Sequence, residues 1–231
     1  MKKCLVIGGS GDIGQAICRK LLDDGWTVGV HYHSSPPTLE LPSSSFTIQG
    51  DLSNSEGIEL FLEKLSPDWD GVVFAAGSAF RGLFQDSGEK EMDLLYNIHV
   101  KSMWRITSYI IPSMITKKCG SILVVTSIWG ETGASTEVLY SSVKGAQRTF
   151  ISALAKEVGP SGVRVNGVAP GMIDTKMNQD FSEEDLHTIE QEIPLHRQGK
   201  ASEVADVCSF LLGERSSYIT GEIINVSGGW K

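Results

Sequence analysis

The chain has little of what would mark it as a secreted scaffold, a nucleic-acid binder or a membrane protein. It holds four cysteines, at positions 4, 18, 119 and 208, in no CxxC pair and no cluster. That argues against a zinc site or a disulfide framework, and the thiols read as small apolar residues in a reducing, cytoplasmic compartment. Basic charge is not in surplus: 28 acidic residues outnumber 20 basic ones, for a net charge of −8. Nucleic acid is therefore offered no broad cationic face. No apolar run approaches the roughly 20 residues of a membrane-spanning helix. Met1-Lys2-Lys3 carries the charge of a secretory leader, but the apolar run over 4–7 is too short and ends at Gly8-Gly9. What is present suits a soluble domain, with 41% hydrophobic and 21% charged residues over a length of 231, long enough to bury a sizeable core. Glycine, at 25 residues, exceeds the usual ~7% and points to tight turns and close backbone approaches.

Short apolar runs alternate with amphipathic stretches. Strands are expected over 4–7, 27–32, 46–48, 72–75, 122–125, 163–168 and 223–226. Helices are expected over 13–22, around Ile58, Phe61, Leu62 and Leu65 with Ser53 or Asn54 as cap, over about 90–115 with a kink at Pro112, over 138–158, near 183–191 and over 202–212. The strands are continuous and rich in Val and Ile, as strands buried on both faces of a parallel sheet are. The alternation gives an α/β fold: one doubly wound Rossmann domain over 1–231, with a mainly parallel seven-stranded sheet flanked by helices. The proline- and serine-rich stretch over 34–45 reads as a surface loop. Residues 174–200 are polar and weakly patterned, and they read as a lid over the substrate or an ordinary surface excursion.

Between the first strand and first helix lies Gly8-Gly9-Ser10-Gly11-Asp12-Ile13-Gly14. In that context glycines give a tight turn, a backbone without Cβ against a pyrophosphate, and a helix N-terminus facing negative charge. Asp51-Leu52 follows the third strand, where a carboxylate can accept from an adenine amino group or cap a turn. Ala75-Ala76-Gly77 ends the fourth with small residues that admit a ligand or merely pack. The second strand ends in His31-Tyr32-His33-Ser34, with no carboxylate to repel a 2′-phosphate, which favours NADP over NAD. No Lys or Arg occurs over 21–63, so such a phosphate would rely on Ser10, Ser34 and His33 or on a cation distant in sequence, with Tyr32 a further candidate for cofactor contact.

Tyr140 and Lys144 are spaced i, i+4 on the 138–158 helix and share a face. Ser127 ends the fifth strand, where open α/β sheets meet their ligands, and a glycine-bearing loop joins it to that helix. Reduction of a ketone needs a group polarising the carbonyl and an acid to protonate the alkoxide. Ser127 can donate to the oxyanion and Tyr140 can give the proton, with Lys144 expected to lower the phenol's pKa. Asn97, in the preceding long helix, is expected to hold a water that links Lys144 to solvent. As plain structural alternatives, Ser127 caps a turn and Asn97 bonds backbone.

On these residues the chain resembles the short-chain dehydrogenase/reductase family along nearly its whole length. The resemblance implies a catalytic tetrad of Asn97, Ser127, Tyr140 and Lys144. Lys144 and Tyr140 would also border the cofactor, as would Pro170, Gly171, Ile173 and Thr175 beside the nicotinamide. Ile7 replaces the usual threonine and Asp12 the usual middle glycine, so that Gly8, Gly11 and Gly14 fit the spacing of extended members. Phe74 and Ala75 replace a polar pair. Arg164-Val165-Asn166, Pro170-Gly171 and the C-terminal stretch most resemble 3-oxoacyl-(acyl-carrier-protein) reductases, with Lys117-Lys118 where a basic carrier-docking site is expected. The segment Ser127-Ile128-Trp129-Gly130 with Gly133-Ala134-Ser135 and Glu137 also resembles a group acting on a 5-aminopentanone modification of elongation factor P. There, Glu131 or Glu137 would favour a cationic tip. The expected function is thus NADPH-dependent reduction of a small-molecule or carrier-bound ketone by a homo-oligomer, a tetramer or dimer. A non-catalytic dinucleotide-binding sensor or scaffold is the alternative of another class.

Overall fold

The structure, a computed structural model, describes residues 2–231. In β1 (Lys3–Ile7), Leu5 and Ile7 join one apolar cluster and Cys4 and Val6 another, and all four are buried. A strand apolar on both faces belongs in the middle of a sheet covered on both sides. β2 (Thr27–Tyr32), β4 (Gly71–Phe74), β5 (Gly120–Val125) and β6 (Val163–Pro170) share this character, while the edge strands β3 (Phe46–Gln49) and β7 (Ile223–Val226) are more exposed. The order is β3-β2-β1-β4-β5-β6-β7 and every pairing is parallel, as the alternation of elements leads one to expect.

Two helix layers cover the sheet. α1 (Asp12–Asp23) and α8 (Ala201–Leu212) bury Ile17, Leu21, Val204 and Leu211 on the Cys4 face. α2 (Ser55–Glu63), α4 (Ser102–Lys117) and α6 (Val138–Val158) bury Phe61, Ile106, Ile110 and Ile151 on the other. α3 (Glu89–Tyr96), the single turn α5 (Trp129–Thr132) and α7 (Glu183–Glu192) complete the set. Asn54 is the α2 cap, its side chain accepting the Gly57 N–H at 2.9 Å. Arg164 fastens the end of α8, donating to the carbonyls of Leu211, Leu212 and Gly213. Because β1 leads to β2 on one side while β4 starts the run on the other, a crevice opens over their carboxyl ends.

One expectation is displaced. The rod from Glu89 to Lys117 continues through Pro112, and its irregularity is a π-turn over Asn97–Lys101. Proline deletes one N–H; a π-turn inserts a residue and rotates everything beyond it. This decides which side chain of the rod faces the crevice.

Two histidines are buried in the fold. His31 Nδ1 accepts the Gly8 N–H at 3.0 Å, and its Nε2 lies 3.1 Å from the Gly50 carbonyl. Burial pushes the His31 pKa down to about 4. His99 is pushed down to about 3 by burial and then by Lys144. Both pKa values fall below the ordinary 6.5, so as pH drops the unfolded chain takes up protons that the native state refuses. Stability is therefore expected to fall from pH 6.5 towards 4, by up to ~1.4 kcal/mol per pH unit per histidine. Urea unfolding at pH 7, 6 and 5 measures this. His31→Gln is expected to flatten the slope, and an unchanged slope would remove His31 from the account.

Candidate active site

The turn after β1 is built around missing side chains. Gly8 has φ +79°, and a Cβ there would lie 2.4 Å from the Ala76 backbone. A Cβ on Gly14 would lie 2.1 Å from the Gly8 carbonyl. The loop thus packs backbone on backbone. Gly11, the residue before α1, makes no side-chain cap, which leaves first-turn N–H groups to meet an anion.

Above this turn runs a crevice of about 890 Å³. Gly8, Ser10, Gly11, Asp12, Ile13, Gly14, His33, Asp51, Leu52, Ala75, Ala76, Gly77 and Thr175 line it, as the sequence predicts. It opens into a second cavity of about 370 Å³ through shared walls at Ile13, Ala75, Ala76, Gly77 and Thr175. Ser127, Tyr140, Lys144, Pro170, Gly171 and Ile173 line that cavity.

Three of the expected residues converge there. Ser127, just past the end of β5, accepts the Trp129 N–H at 3.2 Å and lines the same cavity as the Tyr140 phenol. Lys144 Nζ lies 5.5 Å from the Tyr140 ring centroid and donates to the Val125 carbonyl at 2.9 Å. Burial sets the electrostatics. It pushes the Tyr140 pKa up to about 12, helped by Glu137 and opposed by Ser127 and Arg81. It also pushes Lys144 down to about 7. The expected lowering of the phenol by Lys144 is therefore not met, because desolvation dominates.

Other expected residues have different surroundings. Asn97 reaches neither cavity; its amide donates to the Ser53 carbonyl at 3.0 Å. The π-turn sets His99 against the Tyr140 ring, although His99 too lines neither cavity. The His99 ring stands edge-on to Tyr140 with centroids 5.8 Å apart, and its Nε2 lies 2.8 Å from the Ser78 carbonyl. Tyr32 and Ser34 do not line the crevice, whereas His31 does, because successive strand residues face opposite sides. His33 leans on Asp51 at 3.7 Å, and both Asp51 oxygens already accept, from the Ser53 N–H and the Asn54 amide. Glu131 faces Arg148 outside the cavity, and Glu137 lines it but is paired with Arg81. Lys117 forms ion pairs with Asp68 and Asp70.

The segment over 174–199 is pinned at its ends, the Asp174 N–H on the Gly199 carbonyl and the Gly199 N–H on Met172. Asp12 accepts the Lys176 N–H at 2.7 Å, joining the segment to the glycine loop. Met177, Asn178, Phe181 and Ile189 from it line the second cavity, and Trp230 closes one end with its ring edge-on to Trp129 at 4.9 Å. His99, Arg81 and Trp230 carried no sequence signal, since their roles depend on a helix irregularity and on contacts across long separations.

The sheet order, the glycine turn at its switch point and the adjoining polar cavity define a dinucleotide-linked α/β oxidoreductase. Comparison with known proteins agrees. The family model described as enoyl-(acyl carrier protein) reductase matches residues 9–231. The oxidoreductase YmfI of Bacillus subtilis (strain 168), itself described as uncharacterized, is 40% identical, covering 99% of this chain and 98% of that protein. The 3-oxoacyl-[acyl-carrier-protein] reductase FabG of Aquifex aeolicus (strain VF5) is 34% identical, over 99% of this chain and 96% of FabG. A crystal structure of a short chain dehydrogenase family protein from Francisella tularensis subsp. tularensis SCHU S4 superposes with a TM-score of 0.88 at 26% identity, covering 100% of this chain and 98% of that one. The chain belongs to the short-chain dehydrogenase/reductase family. Among the described residues no helix is long and apolar enough to cross a membrane.

Proposed function

We propose that this oxidoreductase reduces a ketone to a secondary alcohol with NADPH, and that its substrate is a 3-oxoacyl thioester on a carrier. The observation that carries this is the convergence of Ser127, Tyr140 and Lys144 in a cavity sharing its wall with the dinucleotide crevice. The glycine turn fits a dinucleotide because Cβ atoms at Gly8 or Gly14 would collide with the backbone of Ala76 or Gly8 and break the tight turn that lines the crevice. Ser10, Gly11 and the first turn of α1 would hold its pyrophosphate. His31 and His33 stand where a carboxylate would exclude a 2′-phosphate, and this supports NADPH.

A bound reduced nicotinamide supplies hydride. The chain does the rest. Ser127 and Tyr140 donate to the carbonyl oxygen and polarise it. Tyr140, with a pKa near 12, is fully protonated at neutral pH and surrenders its proton as the alkoxide forms, since an alkoxide is the stronger base. Lys144, when charged, offsets the negative charge left on the phenolate.

The relatives named for 3-oxoacyl-carrier reduction support the carrier-bound substrate. Reduction of a 5-aminopentanone group on elongation factor P is the second reading. The Trp129–Trp230 pair favours it, since aromatic faces attract an ammonium. Exposed Tyr96, Trp104 and Tyr109 along the α3–α4 rod support a homo-oligomer. Loss of NADPH absorbance with a 3-oxobutanoyl thioester, compared with ketone-bearing elongation factor P, tests the assignment. Oxidation with neither, despite tight cofactor binding, would favour a sensor or scaffold.

A further inference from the structure

Arg81 follows β4 and belongs to no regular element, yet it lines both cavities. One guanidinium serves three partners from two other segments. Nε donates to Glu137 Oε1 at 3.0 Å, Nη2 donates to Asn178 Oδ1 at 2.9 Å, and the plane lies 4.3 Å from the centroid of the Phe181 ring. Glu137 immediately precedes α6, and its side chain is only 13% exposed. Asn178 and Phe181 belong to the segment over the catalytic cavity, and Asn178 is tied in turn to the Ile173 carbonyl at 2.9 Å. A rigid fork can make these contacts together; a single ammonium cannot.

We propose that Arg81 is a positioning residue for the reduction: it neutralises Glu137 beside the Tyr140 phenol and straps the Asn178–Phe181 segment to the cavity rim. This rests on Tyr140 as proton donor. The charged or titratable groups facing that phenol are Lys144 and Glu137 from α6 and its approach, Arg81, and His99 from the π-turn. His99 is neutral at working pH, because burial holds it far below 6.5. Glu137 is the negative member of this set. Left unpaired it would strengthen the phenol's hold on its proton, and the proton-transfer step would slow. The strap acts differently, on how the substrate is retained. The charge effect therefore falls on kcat and the strap effect on KM.

Steady-state kinetics with NADPH and a 3-oxobutanoyl thioester separate the two. Arg81→Gln is expected to lower kcat about 10-fold and raise KM for the thioester several-fold. Arg81→Gln/Glu137→Gln is expected to recover most of kcat while KM stays high, since the unpaired charge is gone but the strap is still missing. Arg81→Lys is expected to keep kcat and raise KM. A double variant that stays as slow as the single one would overturn the charge role, and an Arg81→Gln enzyme with normal kcat and KM would overturn the whole inference. General unfolding is distinguished by the double variant, which lacks the same arginine. An active Tyr140→Phe enzyme would instead overturn the reading of the site on which Arg81 depends.

Discussion

Tyr140→Phe is expected to lower kcat by about 10³-fold or more while leaving the affinity for NADPH within a factor of about two. The substitution deletes one oxygen and keeps the ring, so the edge-on contact with His99 and the packing of α6 persist. What is lost is, among the described residues, the only phenol lining the cavity that Ser127 also lines. Water is a poor replacement, because the cavity buries Tyr140 deeply enough to push its pKa up to about 12. Cofactor affinity is spared because the glycine turn, Asp51 and the α1 N-terminus lie in the adjoining crevice. Stopped-flow NADPH oxidation and fluorescence titration read the two quantities separately. Ser127→Ala is expected to cost less, about 10²-fold, since Tyr140 would still polarise the carbonyl. Turnover by Tyr140→Phe within 10-fold of the parent would remove the phenol from its role.

The fold was legible because its signals are local. Leu5 and Val6 point to opposite faces and are both apolar, and that pattern alone demands a covered parallel strand. The glycine turn was legible because a backbone that admits no Cβ leaves its mark on residue identity. Ser127, Tyr140 and Lys144 were legible because strand end and helix spacing fix where they stand. Asn97 bonds backbone, one of the two readings its position offered, and the turn it starts was hidden for an equally physical reason. A π-turn is invisible in hydrophobic periodicity, and two residues further along it is His99 that meets Tyr140. Arg81, Asn178 and Trp230 were illegible because their partners lie far away in sequence: 56 residues separate Arg81 from Glu137 and 97 separate it from Asn178. The acids offered for a cationic tip met their own arginines, Glu137 under cover, where a carboxylate needs a partner, and Glu131 at the exposed surface. Chain-local reading sees the carboxylate and misses the arginine that answers it.

Lys144→Met is expected to make the protein more stable and nearly inactive, and the two effects have one cause. Lys144 is 4% exposed, and its one hydrogen bond within the protein is to the Val125 carbonyl. Burial pushes its pKa from 10.5 down to about 7, so holding the ammonium in the native state costs free energy that an unfolded chain in water does not incur. Methionine fills the same unbranched path without a charge, and Tm is expected to rise by about 4 °C or more at neutral pH. The sign with pH is fixed. Below pH 7 the lysine is charged in both states and the native state bears the whole penalty. Between 7 and 10.5 the unfolded chain keeps a proton that the native state has released, so parent stability gains with rising pH from this group. The advantage of Lys144→Met is accordingly largest near pH 6 and shrinks towards pH 10, which paired thermal melts will read. Activity moves the other way. Without an ammonium only Ser127 and Arg81 oppose the charge of the phenolate that Tyr140 becomes, and kcat is expected to fall about 10³-fold. In the parent the same requirement makes kcat/KM decline as pH rises through about 7, where Lys144 loses its charge. A variant that is inactive but no more stable than the parent would mean that the ammonium is satisfied where it lies, and a pH-independent stability difference would contradict its burial as the cause.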